Sequence, residues 1–213
     1  MTSIPEVPSS SEGAESNPGP PESDAATRIL DAALRLFAHQ GFGSTPVRQV
    51  AEEAGVATGL VYYHFADKAG LLKALFGRAL AQVSDSLDEA MAHVATSPER
   101  GLDRLVRTAF GTVSDHRDFW RLSYQIRMQE AVSAALEGEM AGWTDAIRGR
   151  IERLLREAGH ANPVPASRAL FAAIDGAAQH FVLDPDCYPL DSVATSLVAH
   201  FLPSPRKTVE ELE

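Results

Sequence analysis

Along most of this chain apolar residues recur at spacings of three and four, the period of helices that bury one face. Nowhere do they alternate with the period of two that a strand would show. Over 24–40 the inner stripe is Ile29, Ala32, Ala33, Leu36 and Phe37, and Gly41 supplies a stop. A second helix follows, with Thr45 as its expected cap, Pro46 at its first position and Val47, Val50, Ala51 and Ala54 facing inward. Gly55 ends it in the left-handed conformation, Val56 tucks between helices, and a third helix of about two turns carries Val61 and Phe65 inward. Asp67 then caps a long helix reaching to about residue 95, with Leu71, Leu75, Ala79, Val83, Leu87 and Met91 recurring every four residues. At 1.5 Å per residue that helix spans roughly 40 Å, enough to connect two parts of the molecule.

Ser97-Pro98 opens the next helix, with Leu102, Leu105, Val106, Ala109, Phe110 and Val113 inward. A short aromatic helix is expected over 118–128, and one uninterrupted helix over 130–158 that stops at Gly159. Pro163 and Pro165 punctuate a loop before a helix at 166–183, and a last helix runs over 190–202. The fold class is all-α: an N-terminal three-helix unit followed by a helical body, with no internal repeat. The expected divisions are a disordered tail at 1–23, domains at 24–70 and 71–203, and a C-terminal tail at 204–213. The Ser, Pro, Gly and Glu of the first tail cannot bury enough apolar surface to fold.

The pair of short helices over 45–68 is the most informative segment. Two helices joined by a glycine turn have the form of a helix-turn-helix, whose second helix enters the DNA major groove. The outer face of that second helix carries Thr58, Gly59, Tyr62, Tyr63 and His64, with no acidic residue before Asp67. An ordinary solvated face would more often hold Glu and Lys. Tyrosine hydroxyls and imidazole donors suit phosphates, and their ring bodies suit sugars and thymine methyls. Lys68, beside the N-terminus of the long helix, is a second phosphate-binding element.

The net charge of −10 argues against a nucleic-acid partner until its distribution is read. Glu6, Glu12, Glu15, Glu22 and Asp24 are the only charges in residues 1–24, whereas over 25–70 Arg28, Arg35, Arg48 and Lys68 balance Asp31, Glu52, Glu53 and Asp67. The candidate DNA unit is therefore the least acidic part, and the local sign is what matters. It has no basic stripe, so affinity should rest on a few placed contacts and on dimerisation. The single cysteine, Cys187, excludes an internal disulfide and fits a reducing cytoplasm. No apolar run nears membrane-spanning length, and no leader-like segment opens the chain. The seven histidines form no HExxH pair or Cys/His cluster, and there is no phosphate loop or nucleophile elbow. Neither enzyme chemistry, a metal nor a cofactor is expected. A helical protein-interaction module, a ligand-independent DNA binder and, last, a helical enzyme remain as other classes for an all-helical chain.

The stretch from Thr27 to about Leu75 resembles the DNA-binding domain of the tetracycline-repressor (TetR) family. The matching residues are ILDAALRLFAHQGF at 29–42, Val47 to Gly55, and VYYHFADKAGLL at 61–72. The resemblance implies that Arg48, Thr58, Gly59, Leu60, Tyr62, His64 and Lys68 face a double-stranded DNA operator, and Tyr63 joins this DNA-binding set from its place on the outer face. Leu60, Ala57 and Ala69 depart from residues frequent in the family, the first two removing polar contacts that would help to define the operator. The family further implies a cytoplasmic, homodimeric regulator, a repressor released by a small-molecule effector. Its dimer face would lie on the helices near 166–183 and 190–202, where Ala169, Ala172, Ala173, Gly176, Ala177 and Ala178 let another helix approach. A ligand cavity is implied as well, with Phe119, Trp120, Tyr124, Met128, Trp143 and Phe171 as apolar candidates. Asp175, Gln179 and His180 are the polar ones.

Overall fold

The computed structural model describes residues 22–92 and 97–202. Residues 1–21 of the tail expected at 1–23, the tail expected at 204–213 and the end of the long helix near residue 95 lie outside the described residues. Among the described residues the regular structure is helical. Helix α1 (Glu22–Gln40) lies across α2 (Val47–Ala54) and α3 (Thr58–His64). Its start moves the expected boundary: residues 22 and 23 belong to a helix rather than to a tail.

The body comprises α4 (Lys68–Ala92), α5 (Pro98–Asp115), α6 (Arg117–Arg127), α7 (Glu130–Ser133), α8 (Glu137–Glu157), α9 (Pro163–Leu183) and α10 (Leu190–Phe201). None of these helices is long and apolar enough to cross a membrane. The inner stripes read from the sequence are the core: Ile29, Ala32, Ala33 and Phe37 of α1, Leu71, Leu75, Val83 and Leu87 of α4, and Leu102, Leu105, Val106, Phe110 and Val113 of α5 are all buried. One continuous apolar cluster runs from Ile29 to Val198, so the three-helix unit and the body share a core. Ion pairs join helices at the surface: Arg78–Asp31 at 2.6 Å between α4 and α1, Lys73–Glu139 at 2.8 Å and Arg150–Asp88 at 2.7 Å between α4 and α8. Exposed pairs contribute little each, so the apolar contacts hold the assembly.

Helix ends follow local chemistry, with two corrections. Gly55 takes φ 65° after α2; its N–H donates to the Glu52 carbonyl at 3.2 Å, and the Val56 N–H to Ala51 at 3.0 Å. These are the paired bonds of a Schellman stop, and half-buried Val56 packs against the core beside it. Gly159 repeats the pattern after α8, with φ 78° and the His160 N–H on Leu155. The Asp67 carboxylate accepts from the Gly70 N–H at 2.7 Å, and the Ser97 hydroxyl from the Arg100 N–H at 3.3 Å, so both expected caps form. Thr45 does not cap α2. Its fully buried hydroxyl donates back to the Gly41 carbonyl at 2.9 Å, tying the α1–α2 loop, and Pro46 occupies the cap position without a side-chain bond.

The second correction concerns 130–158, which is not one helix. Helix α7 passes into a 3-10 turn at Ala134–Leu136 before α8 begins. No glycine or proline marks that break. The turn packs against α4 and buries Leu136, a contact that a straight helix would forgo. Helix α9 also begins earlier than expected, at Pro163, because proline is tolerated in a first turn whose N–H groups have no partners in the helix.

Gly55→Ala should lower stability by about 1–2 kcal/mol in chemical denaturation, because the cost is the left-handed backbone. Space is not limiting, since an added Cβ meets only Arg28 Nη1 at 3.8 Å. An unchanged denaturation midpoint would show that the turn relaxes to another geometry.

Candidate nucleic-acid interface and effector cavity

The three-helix unit presents α3 to solvent on one side and buries Val61 on the other. Tyr62 and Tyr63 are 51% and 71% exposed, the largest apolar surfaces of the unit, and Gly59 is exposed beside them. Thr58 and Leu60 are half-buried. His64 lies edge-on to the Tyr63 ring at 5.2 Å, and its Nε2 is buried without a hydrogen-bond partner. That nitrogen is turned away from solvent, so the expected outward imidazole donor is only partly available in this conformation.

Arg48 projects from α2 with its side chain 80% exposed and its Nε 2.8 Å from Glu52 Oε1. A pair this exposed is worth little and yields readily to another acceptor. Lys68 differs from the free, solvent-facing side chain expected. Its Nζ donates to the Gly43 carbonyl at 3.3 Å and lies 4.5 Å from the centre of the Phe42 ring. Partial burial there lowers its pKa from the usual lysine value. The ammonium thus braces the α1–α2 loop against the start of α4 as well as lying near the DNA-reading face.

The candidate ligand residues separate into distinct environments. Trp120, Trp143, Phe171 and Asp175 line one narrow apolar cavity together with residues of α4 and α5 such as Leu105 and Thr112. The two indole rings are 6.0 Å apart, centre to centre. Phe119 is buried one layer behind, with Phe76 at 5.1 Å on one side and Trp120 at 5.4 Å on the other. Tyr124 and Gln179 line a separate open groove with Arg121 and Val182. Met128 is corrected outright: it follows α6 and is 90% exposed, because the helix ends before its side chain can turn inward. His180 is exposed and stacks on Tyr188 at 5.7 Å.

Asp175 accepts two bonds from the Arg127 guanidinium, at 2.6 and 3.0 Å, and its carbonyl accepts from the Tyr124 hydroxyl at 3.3 Å. Burial, followed by the negative charge of Asp175, raises the Tyr124 pKa well above the usual phenol range. Arg127 is not among the residues singled out from the sequence, and as an exposed arginine at the end of α6 it carries no local signal of its partner on α9. Two further contacts are equally unmarked in the sequence. His39 Nε2 lies 3.2 Å from Asp118 Oδ1, and Gln125 Nε2 donates to the Ala38 carbonyl at 3.1 Å. Both join the end of α1 to α6, the helix that also lends Trp120 to the cavity. Among the described residues, no group of three or more His, Cys, Asp or Glu side chains gathers as a metal site.

Comparison with known proteins agrees with this architecture in both halves. Residues 29–75 match the family model described as bacterial regulatory proteins of the tetR family, and residues 96–204 match the tetracycline-repressor-like C-terminal domain. The HTH-type transcriptional regulator AcrR of Shigella flexneri is 30% identical over 189 residues, covering 82% of this chain and 86% of that protein. TtgR of Pseudomonas putida is 29% identical over 180 residues, covering 78% and 84%. Among solved structures, a transcriptional regulator from a Rhodococcus species superposes with a TM-score of 0.73 at 21% identity, covering 83% of this chain and 93% of that one. The Bacillus subtilis regulator FadR, solved with stearoyl-CoA, superposes with a TM-score of 0.72 at 18% identity, covering 84% and 99%. The three-helix unit and the helical body that follows it are thus parts of one known architecture, and the chain belongs to the TetR family of DNA-binding transcriptional regulators.

Proposed function

We propose that this protein is a cytoplasmic repressor that binds a near-palindromic operator as a homodimer and is released when a small molecule enters the body of each subunit. The observation that carries the reading is the position of α6. One helix contributes Trp120 to the narrow cavity and contacts α1 of the DNA-reading unit through the His39–Asp118 and Gln125–Ala38 bonds. A ligand that fits a different setting of α6 therefore shifts α1 and, through it, α2 and α3. An effector moves such an equilibrium only by its differential affinity for the two forms, typically about 1–3 kcal/mol. Helix α4, which follows the recognition helix directly, is the second mechanical route.

Dimerisation is supported by an unfilled helix face. Arg168, Ala169, Ala172, Gln179 and Leu183 of α9 are exposed, Leu183 by 74%. A Cβ built on Gly176 meets nothing within 4 Å, so the small residue is not explained by packing inside the subunit. In α10 only Ala194 and Val198 are buried, while Leu190, Val193, Leu197 and Phe201 stay half-covered. Two such faces paired about a two-fold axis form a four-helix bundle. The DNA-facing set is Arg48, Thr58, Gly59, Leu60, Tyr62, Tyr63, His64 and Lys68, and the two α3 helices would enter successive major grooves roughly 34–36 Å apart.

The dimer face is tested by Gly176→Leu, whose branched side chain should block close helix approach. Sedimentation should show monomer, and operator affinity should fall with it. A variant that remains dimeric would move the interface elsewhere.

The DNA face is tested on an operator selected from random fragments. Tyr62→Ala should weaken binding with the fold unchanged, and Arg48→Ala should cost about 1–3 kcal/mol if the arginine reads guanine bidentately. Lys68→Ala should reduce the salt slope by about one unit. It should also lose roughly 0.5–1 kcal/mol of stability, because the Phe42 contact disappears. Unchanged operator affinity in all three variants would overturn the interface.

The switch is tested by reciprocity. An inducing compound should perturb the fluorescence of Trp120 and Trp143 over the concentration range that releases DNA. Saturating operator should weaken its binding by the same factor. Calorimetric titrations with and without operator that give one affinity would rule out induction by that compound.

A further inference from the structure

The cavity of the body has an unusual inventory of polar atoms. Its inner space is about 40 Å³. Its wall is apolar except at few points, and both tryptophans of the chain stand in it. The Nε1–H groups of Trp120 and Trp143 are buried and have no acceptor, and Trp120 as a whole is only 6% exposed. A buried indole N–H ordinarily finds a partner, and the two tryptophans that line this cavity, their rings 6.0 Å apart, both lack one.

The charges of the wall are already matched. Among the described residues Asp175 is the one charged residue lining the cavity, and both its oxygens accept from Arg127. A cation entering the cavity meets no free carboxylate, and an anion no free guanidinium. Either would lose its hydration without gaining a partner. The Thr112 hydroxyl is occupied too, donating to the Ala109 carbonyl at 2.7 Å.

We propose that the cavity selects a neutral ring-bearing molecule with a hydrogen-bond acceptor, such as a carbonyl or ether oxygen, which receives the Trp120 and Trp143 Nε1–H groups. This deepens the effector-controlled reading and rests on it. At about 40 Å³ this space holds about three water molecules, too little for a ring. Phe171 lines both this cavity and an open groove of about 750 Å³ between α6, α8 and α9. Binding therefore requires Phe171 to swing toward the groove, which would open both the room and the way in.

Calorimetry on the full chain with four small probes tests the selection: acetophenone, ethylbenzene, benzoate and phenyltrimethylammonium. Acetophenone should bind about three- to tenfold tighter than ethylbenzene, its isostere without an acceptor, and tighter than either ion. Stearoyl-CoA serves as a long anionic comparison and should not compete with acetophenone. In Trp120→Phe and Trp143→Phe, which keep a ring and remove a donor, the acetophenone preference should fall toward one. Equal affinities for acetophenone and ethylbenzene in the natural protein would overturn the proposal, as would tighter binding of an ion or binding of none of the four. That comparison holds even if a tryptophan variant fails to fold. Operator binding separates the two readings. A Trp-dependent acetophenone preference with no effect on operator affinity leaves the ligand class standing and removes effector control. A compound that releases operator equally well from both tryptophan variants removes the ligand class alone.

Discussion

The seam between α4, α6 and α1 is the constraint on which the rest of the molecule depends. Phe76 of α4 and Phe119 of α6 meet edge to face at 5.1 Å, both fully buried, and Trp120 lies against the far side of Phe119. Edge-to-face aromatic pairs contribute about 0.5–1.5 kcal/mol beyond their buried area, and close-packed interiors rearrange in steps rather than deform smoothly. The seam also brings Asp118 to His39 and Gln125 to the backbone of Ala38. The cavity and the DNA-reading unit are therefore neighbours across a single helix. A change of α6 position is felt at the base of α1 without any need for a chain of distant contacts.

The DNA-reading unit works with little charge. Arg48 and Lys68 are both engaged within the free protein, one with Glu52 and the other with Gly43 and Phe42. What α3 offers freely is the surface of Tyr62 and Tyr63. Such a face provides contact area and hydroxyl groups without long-range attraction. On the proposed dimeric reading, operator binding draws on fit and on two-fold repetition more than on counterion release, which grows with the number of phosphates neutralised. The acidity of the remaining chain adds to that restraint by disfavouring indiscriminate association with DNA.

The apolar cavity and the Arg127–Asp175 pair illustrate how a half-buried charge is made tolerable. Asp175 sits on the cavity wall, where an isolated carboxylate would be costly, and a bidentate guanidinium on the neighbouring helix answers it. Tyr124 completes the arrangement, with its ring 5.0 Å from the guanidinium carbon and its hydroxyl on the Asp175 backbone. The cluster fixes α6 against α9. Because α9 also carries the open face with Gly176, cavity, DNA unit and candidate dimer face all meet through α6 and α9.

Much of this was legible in residue order. The inward stripes of α1, α2, α4 and α5, the Gly55 turn and the caps at Asp67 and Ser97 all depend on residues within about a turn of one another. Short-range chemistry is written in short-range sequence. The same locality made the helix-turn-helix and its exposed tyrosines readable. Other features depend on what lies across the fold. The helix expected over 130–158 breaks because Leu136 has α4 to bury against. Lys68 folds onto Phe42, while Met128 is left in solvent because α6 ends just before it. His39 finds Asp118 only when α1 and α6 are packed, and two indole rings, each with an unpaired N–H, become neighbours only when α6 and α8 are packed. The sequence by itself determined which faces must be buried and where helices start and stop, since backbone conformation and hydrophobic period are properties of adjacent residues. Tertiary structure alone decided which buried polar group meets which, because a partner's identity depends on distances between segments that no local pattern encodes.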